Sequence, residues 1–411
     1  MNKFTIGLSL SLTGDYAAMG RQAEAALALF VSDTNMAGGV ELGGKRYELA
    51  LDCRDDESRS ERVAEIYREL CHNRRADVIF GPYSSALTRA AAPIADQAAM
   101  VIVNHGGADD GLYQRRYRMI VGVLTPAGDY FEGFGDLLAS LKLWRKRLAI
   151  VAARTPFARA VAGGLERRCK ERPLRRRGVR VRLKYNGAYT DRTRSMLLPG
   201  IRRTRANALV SAGSYAHDIA VMRLIVEANC NIPVLGCVAA GVDSFARDLG
   251  DDAEGIVGPS QWEEQAEVMP AIGPQSAEFA RRYRIAAHRS ECDYPAAQAY
   301  AAGLITLCAL RAAGSLEQEV LRAAFADLHT STFFGDFALA SNGQQIGHRM
   351  LLVQWHRGRK VIIDPGIHTA AQGELELPAG WRVIVAGFQA LRLTRRDEIE
   401  ENPDDTSDDK R

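Results

Sequence analysis

Two adjacent serines, Ser84 and Ser85, are the residues whose types and spacing point most directly to chemistry, and the chemistry is binding. They close the run Asp77-Val78-Ile79-Phe80-Gly81-Pro82-Tyr83-Ser84-Ser85-Ala86, in which a short apolar strand pattern stops at a glycine and an alanine-rich helix pattern begins. That order puts hydroxyls and free backbone N–H groups at a helix N-terminus on the C-terminal edge of a sheet. A small anion or carboxylate can be held there. The same serines fit a plain helix cap, and the segment alone admits both readings.

Catalytic constellations are weak by comparison. His217-Asp218 beside Ser214 invites a Ser-His-Asp reading, yet there is no GxSxG elbow, and neighbours on one loop rarely assemble a triad. None of the eight histidines stands in HExxH or another metal spacing, and the seven cysteines form no CxxC. The loop after the first strand, Ser11-Leu12-Thr13-Gly14-Asp15-Tyr16, lacks the close glycines a pyrophosphate needs. Gly43-Gly44-Lys45 does not continue into a P-loop. No enzyme activity, cofactor or metal is therefore expected. The arginine-rich stretch Arg167–Lys184 has no aromatic interleaving and reads as a solvated surface rather than a nucleic-acid site. What remains is a set of aromatics at predicted strand ends and loops: Tyr16, Tyr83, Phe157, Tyr215 and Trp262. They could wall a ligand whose polar end Ser84 and Ser85 fix, or each could pack its own loop.

The elements that must position these residues alternate. Strand patterns at Phe4–Leu10, Tyr47–Asp52, Val78–Phe80 and Val101–Val103 are separated by helix patterns at Gly20–Asn35, Ser58–His72 and Thr88–Gln97. The rhythm restarts with strands at Leu148–Ala152, Val179–Tyr185, Ala208–Ser211 and Val234–Gly236, and helices at Ala158–Lys170, Thr193–Arg203 and His217–Ala228. Pro295–Ala313 reads as a long apolar helix. Leu351–Trp355 and Lys360–Ile363 read as a hairpin. Strands alternating with helices in this way predict parallel sheets covered on both faces, in two similar α/β halves facing a cleft.

The 411 residues exceed one ordinary core, and a composition 47% hydrophobic and 25% charged is that of a globular protein. A net charge of +3 does not by itself imply nucleic acid, and no apolar run is expected to reach the length of a membrane span. Seven cysteines, an odd number without metal spacing, lean toward a reducing compartment. The N-terminus reads as a strand rather than a signal peptide. Hence the expectation is a cytoplasmic chain if Met1 is the native start, and a periplasmic one if an export signal was removed. Residues 366–393 are expected to dock on the body as an extension, and 394–411 to form a disordered acidic tail.

From Phe4 to about Pro365 the chain resembles the type I periplasmic solute-binding proteins of the branched-chain amino acid, amide and urea group. SLTGDYAAMG, AGGVELGGKRYEL, VIFGPYSSALTRAAAPIA, AEGIVGPSQW, YPAAQAYAAG, FFGDFALASNGQQ and VQWHRG carry the resemblance in order and spacing. It implies two Rossmann-like lobes joined by three crossovers around a ligand cleft, with a hinge that closes on ligand. The crossovers are expected near Ile120–Thr125, Val257–Trp262 and Phe334–Phe337. The lobes then comprise residues 1–120 with 263–333, and 121–262 with 334–365. The implied function is capture of a small polar ligand (amino acid, carboxylate or amide) for an ABC-transporter permease, without catalysis. The alternative is a cytoplasmic, amide-responsive sensor that signals to a regulatory protein.

By the same resemblance Ser85 and Ala108, beside Gly107, hold a ligand carboxylate. Ala108 offers only its backbone N–H. Phe157 and Ser214 fall where the second lobe of the family often presents tyrosines, and Met19 lies near a position that often carries an aromatic wall. At Val238 amino-acid binders commonly place an acid that pairs with the ligand ammonium, and a buried ammonium without a partner is costly. Asp218 and Glu263 are the residues that could replace it.

Overall fold

A computed structural model describes residues 2–72, 75–142, 146–171, 179–288, 291–363, 381–385 and 391–395. The chain divides into two compact units, Met1–Ala127 with Ser260–Met350 and Gly128–Pro259 with Leu351–Arg411.

Along the chain, the first unit begins with β1 (Asn2–Leu10), α1 (Ala17–Met36), β2 (Val40–Leu42), β3 (Lys45–Asp55), α2 (Ser60–His72), β4 (Val78–Phe80), α3 (Ser85–Gln97), β5 (Ile102–Asn104), α4 (Gly111–Gln114) and β6 (Ile120–Gly122). The second unit follows with α5 (Glu132–Ser140), β7 (Leu141–Lys142), β8 (Arg147–Ala152), α6 (Pro156–Glu171), β9 (Arg180–Asn186), α7 (Asp191–Thr204), β10 (Ala208–Ala212), α8 (Tyr215–Glu227), β11 (Val234–Cys237), α9 (Ser244–Leu249) and β12 (Val257–Ser260). The chain returns to the first unit for α10 (Ser276–Ala286), α11 (Tyr294–Ala313), α12 (Gln318–Asp327), β13 (Thr330–Thr332) and β14 (Gly335–Phe337). It ends in the second with β15 (Leu351–His356), β16 (Arg359–Ile362), β17 (Trp381–Val385) and β18 (Leu391–Arg395).

Each unit is built on one large sheet, ordered β2-β3-β1-β4-β5-β6 in the first and β16-β15-β12-β11-β10-β8-β9 in the second. The β3-β1-β4-β5-β6 and β12-β11-β10-β8-β9 runs are parallel, as the strand–helix alternation predicts. In the first unit, Val63, Ile66, Tyr67 and Leu70 of α2 and Leu87, Ala91 and Ala95 of α3 cover one sheet face. Each fully buried Val, Leu or Ile side chain among them contributes about 1.5–3 kcal/mol. α1 packs on α11, where a Cβ at Gly303 would lie 2.6 Å from the Phe30 ring, so glycine is what lets the two helices close. α11 has the length and mean hydropathy (1.2) of a membrane span, contrary to the expectation that no segment would. Two-thirds of it is buried in the first unit, where it serves as a core helix.

The chain passes between the units after Ala127, Pro259 and Met350. The third passage differs from the expected Phe334–Phe337. Phe333 stacks on Phe279 and meets Trp262 and Tyr300, so the β13–β14 hairpin belongs to the first unit. The following loop is stitched to the same unit by Gly122 N–H donating to Gly343 O (2.8 Å) and Gln345 Nε2 donating to Val123 O (3.2 Å).

Three buried side chains join the connecting segments within the first unit. Gln261 accepts the Thr125 N–H and donates to the Thr125 carbonyl, both at 3.1 Å. Thr125 Oγ1 lies 2.5 Å from His348 Nδ1, and His348 Nε2 lies 2.9 Å from the Phe334 carbonyl. A carbonyl only accepts, so Nε2 carries the proton toward Phe334, and the Thr125 hydroxyl lies within reach of both His348 Nδ1 and the His348 carbonyl (3.2 Å). Burial holds His348 neutral, its pKa pushed down to about 4.

In the second unit β7, β18 and β17 form a three-stranded sheet. The rest of the expected extension at 366–393 lies outside the described residues, as does the expected acidic tail beyond residue 395.

Candidate functional site

Ser84 takes the N-cap position of α3 with extended backbone (φ −172°, ψ 178°), but its side chain makes no cap bond. Its Oγ is buried and has no hydrogen-bond partner in the protein. Ser85 opens the helix, and its Oγ accepts the backbone N–H groups of Ala108 (3.1 Å) and Asp109 (3.2 Å). Neither hydroxyl acts as the plain cap that the sequence also allowed. With two N–H groups accepted, Ser85 keeps its own hydroxyl hydrogen to donate. The first-turn N–H groups of α3 have no partner within the helix, and its positive dipole end adds to them.

The loop after β5 is pressed onto these serines. Asn104 Oδ1 accepts the Gly107 N–H (2.8 Å) and Asn104 Nδ2 donates to the Gly107 carbonyl (2.7 Å). A Cβ at Gly106 would lie 2.3 Å from the Pro82 carbonyl, and one at Gly107 2.5 Å from Thr88 Oγ1. Such close approach leaves room only for glycine at both positions. It also changes the part expected of Ala108 and Gly107, whose N–H groups are spent inside the protein, on Ser85 and Asn104 respectively.

Around the same edge stand three half-buried tyrosines. Tyr83 OH is 2.9 Å from Tyr294 OH, and the Tyr83 ring meets Tyr16 edge-on at 6.4 Å. Met19 lies half-buried in the first turn of α1. Trp262 does not join them. It is 2% exposed, donates to Ser276 Oγ (3.3 Å) and packs edge-on against Phe279 and Phe333. It is a core residue of the first unit, because the segment after β12 turns into that core rather than along its surface. Glu263 is likewise buried, 4% exposed. Sequence reasoning gave no role to Tyr294 or to His105. The His105 ring is fully buried beside Phe80, neither nitrogen has a partner, and burial pushes its pKa down to about 4.

In the second unit Phe157 is half-buried at the start of α6, edge-on to Tyr130 at 5.4 Å. Ser214 is exposed and caps α8 by accepting the His217 backbone N–H (3.3 Å). Tyr215 donates its hydroxyl to Asp248 (2.7 Å), which ties it to α9. Val238 is half-buried at the start of the turn after β11.

Asp218 is already occupied within the second unit. It is fully buried, one carboxylate oxygen takes the Ser211 hydroxyl (2.7 Å) and the other the Ala239 N–H (3.0 Å), with the Val238 N–H also bonded to it. Burial outweighs these hydrogen bonds and raises its pKa to about 7. Ser214, His217 and Asp218 thus form no triad. The serine meets the backbone of His217, and the aspartate binds Ser211 instead. In the basic stretch, Arg167 pairs with Asp129 and Glu171, Arg168 with Asp136, and Lys170 and Lys184 with Glu166.

Two α/β units crossed three times by the chain, with hydroxyl donors at a strand-to-helix turn and no catalytic constellation among the described residues, define a two-lobed receptor for small solutes. The periplasmic binding protein family model matches residues 3–360, and the chain belongs to that family of non-enzymatic solute receptors. Its members are usually extracytoplasmic. Solved structures agree on the fold. A leucine-binding protein of Thermotoga maritima superposes with a TM-score of 0.72 at 17% identity, over 87% of this chain and 97% of that one. A branched-chain amino acid binding protein of Streptococcus pneumoniae, in complex with isoleucine, gives 0.71 at 16% over 90% and 100%. A solute-binding protein of R. palustris, in complex with benzoate, gives 0.71 at 19% over 91% and 99%. At such identities the likeness speaks for the fold alone.

Proposed function

We propose that this protein captures a small organic carboxylate that lacks an α-ammonium group and delivers it to an ABC-transporter permease. The observation that carries the reading is an imbalance of charge partners. In the first unit Ser84 Oγ is buried and unpartnered, and Ser85 has both lone pairs occupied and a hydrogen to give, at the positive end of α3. Ser85 can only donate, and a hydroxyl hydrogen at the positive end of a helix suits a carboxylate oxygen. In the second unit the position after β11 is Val238, and the nearby Asp218 is consumed by Ser211, Val238 and Ala239. By the family resemblance the position held by Val238 is where an acid pairs with a ligand ammonium, so an amino acid would lack that partner, at a cost of several kcal/mol. The structural likeness to both amino-acid binders and a benzoate binder is compatible with this choice.

Ser85→Ala removes one donor and leaves the Ala108 and Asp109 N–H groups without their acceptor. Affinity for benzoate, read by calorimetry, is expected to fall by about 1–3 kcal/mol, roughly 5- to 150-fold in Kd. An unchanged Kd removes Ser85 from the site.

A further inference from the structure

We propose that Tyr16, Tyr83 and Tyr294 form a fixed aromatic wall in the first unit that selects a planar, aromatic carboxylate over a saturated one. This rests on the carboxylate reading of Ser84 and Ser85 and adds the class of body attached to that carboxylate. The three tyrosines come from separate places, the loop after β1, the loop after β4 and the first turn of α11, and all are half-buried. Tyr83 stands immediately before Ser84 in the loop after β4, so the wall and the donors share one strand-to-helix turn.

The wall is held by a hydroxyl–hydroxyl bond, a ring contact and the backbone of the loop that carries Tyr16. The Tyr83 and Tyr294 hydroxyls bond each other at 2.9 Å, and the Tyr83 ring lies edge-on to Tyr16 at 62°. Tyr16 is fixed in turn by Ser58, whose Oγ accepts the Tyr16 N–H (3.1 Å) and donates to the Thr13 carbonyl (2.9 Å). Ser58 and its neighbour Glu57 both have left-handed backbone, φ +59° and +54°. Two successive non-glycine residues hold that conformation only where the surroundings enforce it. Here Asp56 accepts the Ser58 N–H (3.0 Å) and Asp55 accepts the Glu57 N–H (2.9 Å). With its hydroxyl tied, Tyr83 presents its ring rather than a hydrogen-bonding group. A ring that cannot swing away rewards a flat partner, through stacked or edge contacts that a puckered ring cannot match.

Asp55, Asp56 and Asp109 are occupied within the protein. Asp55 takes the N–H groups of Leu12, Thr13 and Glu57 and the Thr13 hydroxyl. Asp56 takes Ser9, Ser11 and the Ser58 N–H, and Asp109 pairs with Arg89.

The test is calorimetric binding of benzoate, cyclohexanecarboxylate and leucine to the full chain and to Y16L, Y83L, Y83F and Y294F, with a melting curve for each variant to confirm folding. Benzoate is expected to bind wild type about 3- to 10-fold more tightly than cyclohexanecarboxylate. Y16L and Y83L should bring that ratio close to one while cyclohexanecarboxylate binding persists. Y83F keeps the ring and should keep most of the ratio. Equal wild-type affinities, or a ratio that Y16L and Y83L leave intact, overturn the wall while the serine site stands. Binding of neither carboxylate overturns the serine site and the wall together.

Discussion

Asp218→Ala is expected to destabilise the second unit by about 2–5 kcal/mol, because it strands the buried N–H groups of Val238 and Ala239 and removes the partner of Ser211. Asp218→Asn should behave quite differently. Burial raises the folded pKa of Asp218 to about 7, well above the ordinary aspartate value of about 4. A raised acid pKa means that the folded state holds the proton more tightly. Its contribution to stability is therefore full below about pH 4 and is lost as pH climbs toward 7. Asparagine mimics the protonated acid: its oxygen accepts from Val238 and Ala239, and its amide can donate to a Ser211 hydroxyl that has turned to accept. Wild type minus D218N stability, from denaturant titrations at a series of pH values, should fall between pH 4 and 7 and level off above 8. A difference that rises over that range contradicts the assignment.

The second large effect is expected at Gln261. Its amide satisfies both backbone groups of Thr125 in a fully buried setting, and nothing else among their hydrogen bonds replaces it. Gln261→Leu keeps the bulk and leaves a buried N–H and a buried carbonyl unpaired, at about 1–3 kcal/mol each. Chemical denaturation should show a loss of about 2–6 kcal/mol. Gln261→Glu, which still accepts the Thr125 N–H, should cost less when protonated at low pH than at neutral pH, where a buried charge is added. A loss below about 0.5 kcal/mol for the leucine variant means the backbone of Thr125 finds other partners.

Much of the fold was legible because it is written in local periodicity. The helix patterns at 88–97 and 193–203 lie within α3 and α7, displaced only by first turns that sequence periodicity does not mark. Ser84 and Ser85 were legible for the same reason, since a strand, a glycine and a helix start are adjacent in the chain. What stayed hidden depends on partners distant in sequence. Tyr294 acquires its place from a hydroxyl 211 residues away. Trp262, read as a ligand wall, is claimed by Phe279 and Phe333, which no local pattern links to it. The third passage between units was placed too early because Phe333 and Gln345 hold their segment to the first unit through long-range packing and hydrogen bonds. Asp218 could be named but not judged. Whether a carboxylate is free or consumed depends on where Ser211 and the Val238 turn come to rest.

The central claim is that the site takes a carboxylate without an ammonium group, and thermal stability measured with and without ligand tests it most directly. A ligand present at about 100 times its Kd stabilises the folded state by about 2.7 kcal/mol, which raises the melting temperature by several degrees. Benzoate at millimolar concentration should produce such a shift, and leucine, isoleucine and valine should produce little. A large shift with leucine and none with benzoate would contradict the account, for it would mean that an acid other than Asp218 meets the ammonium despite Val238.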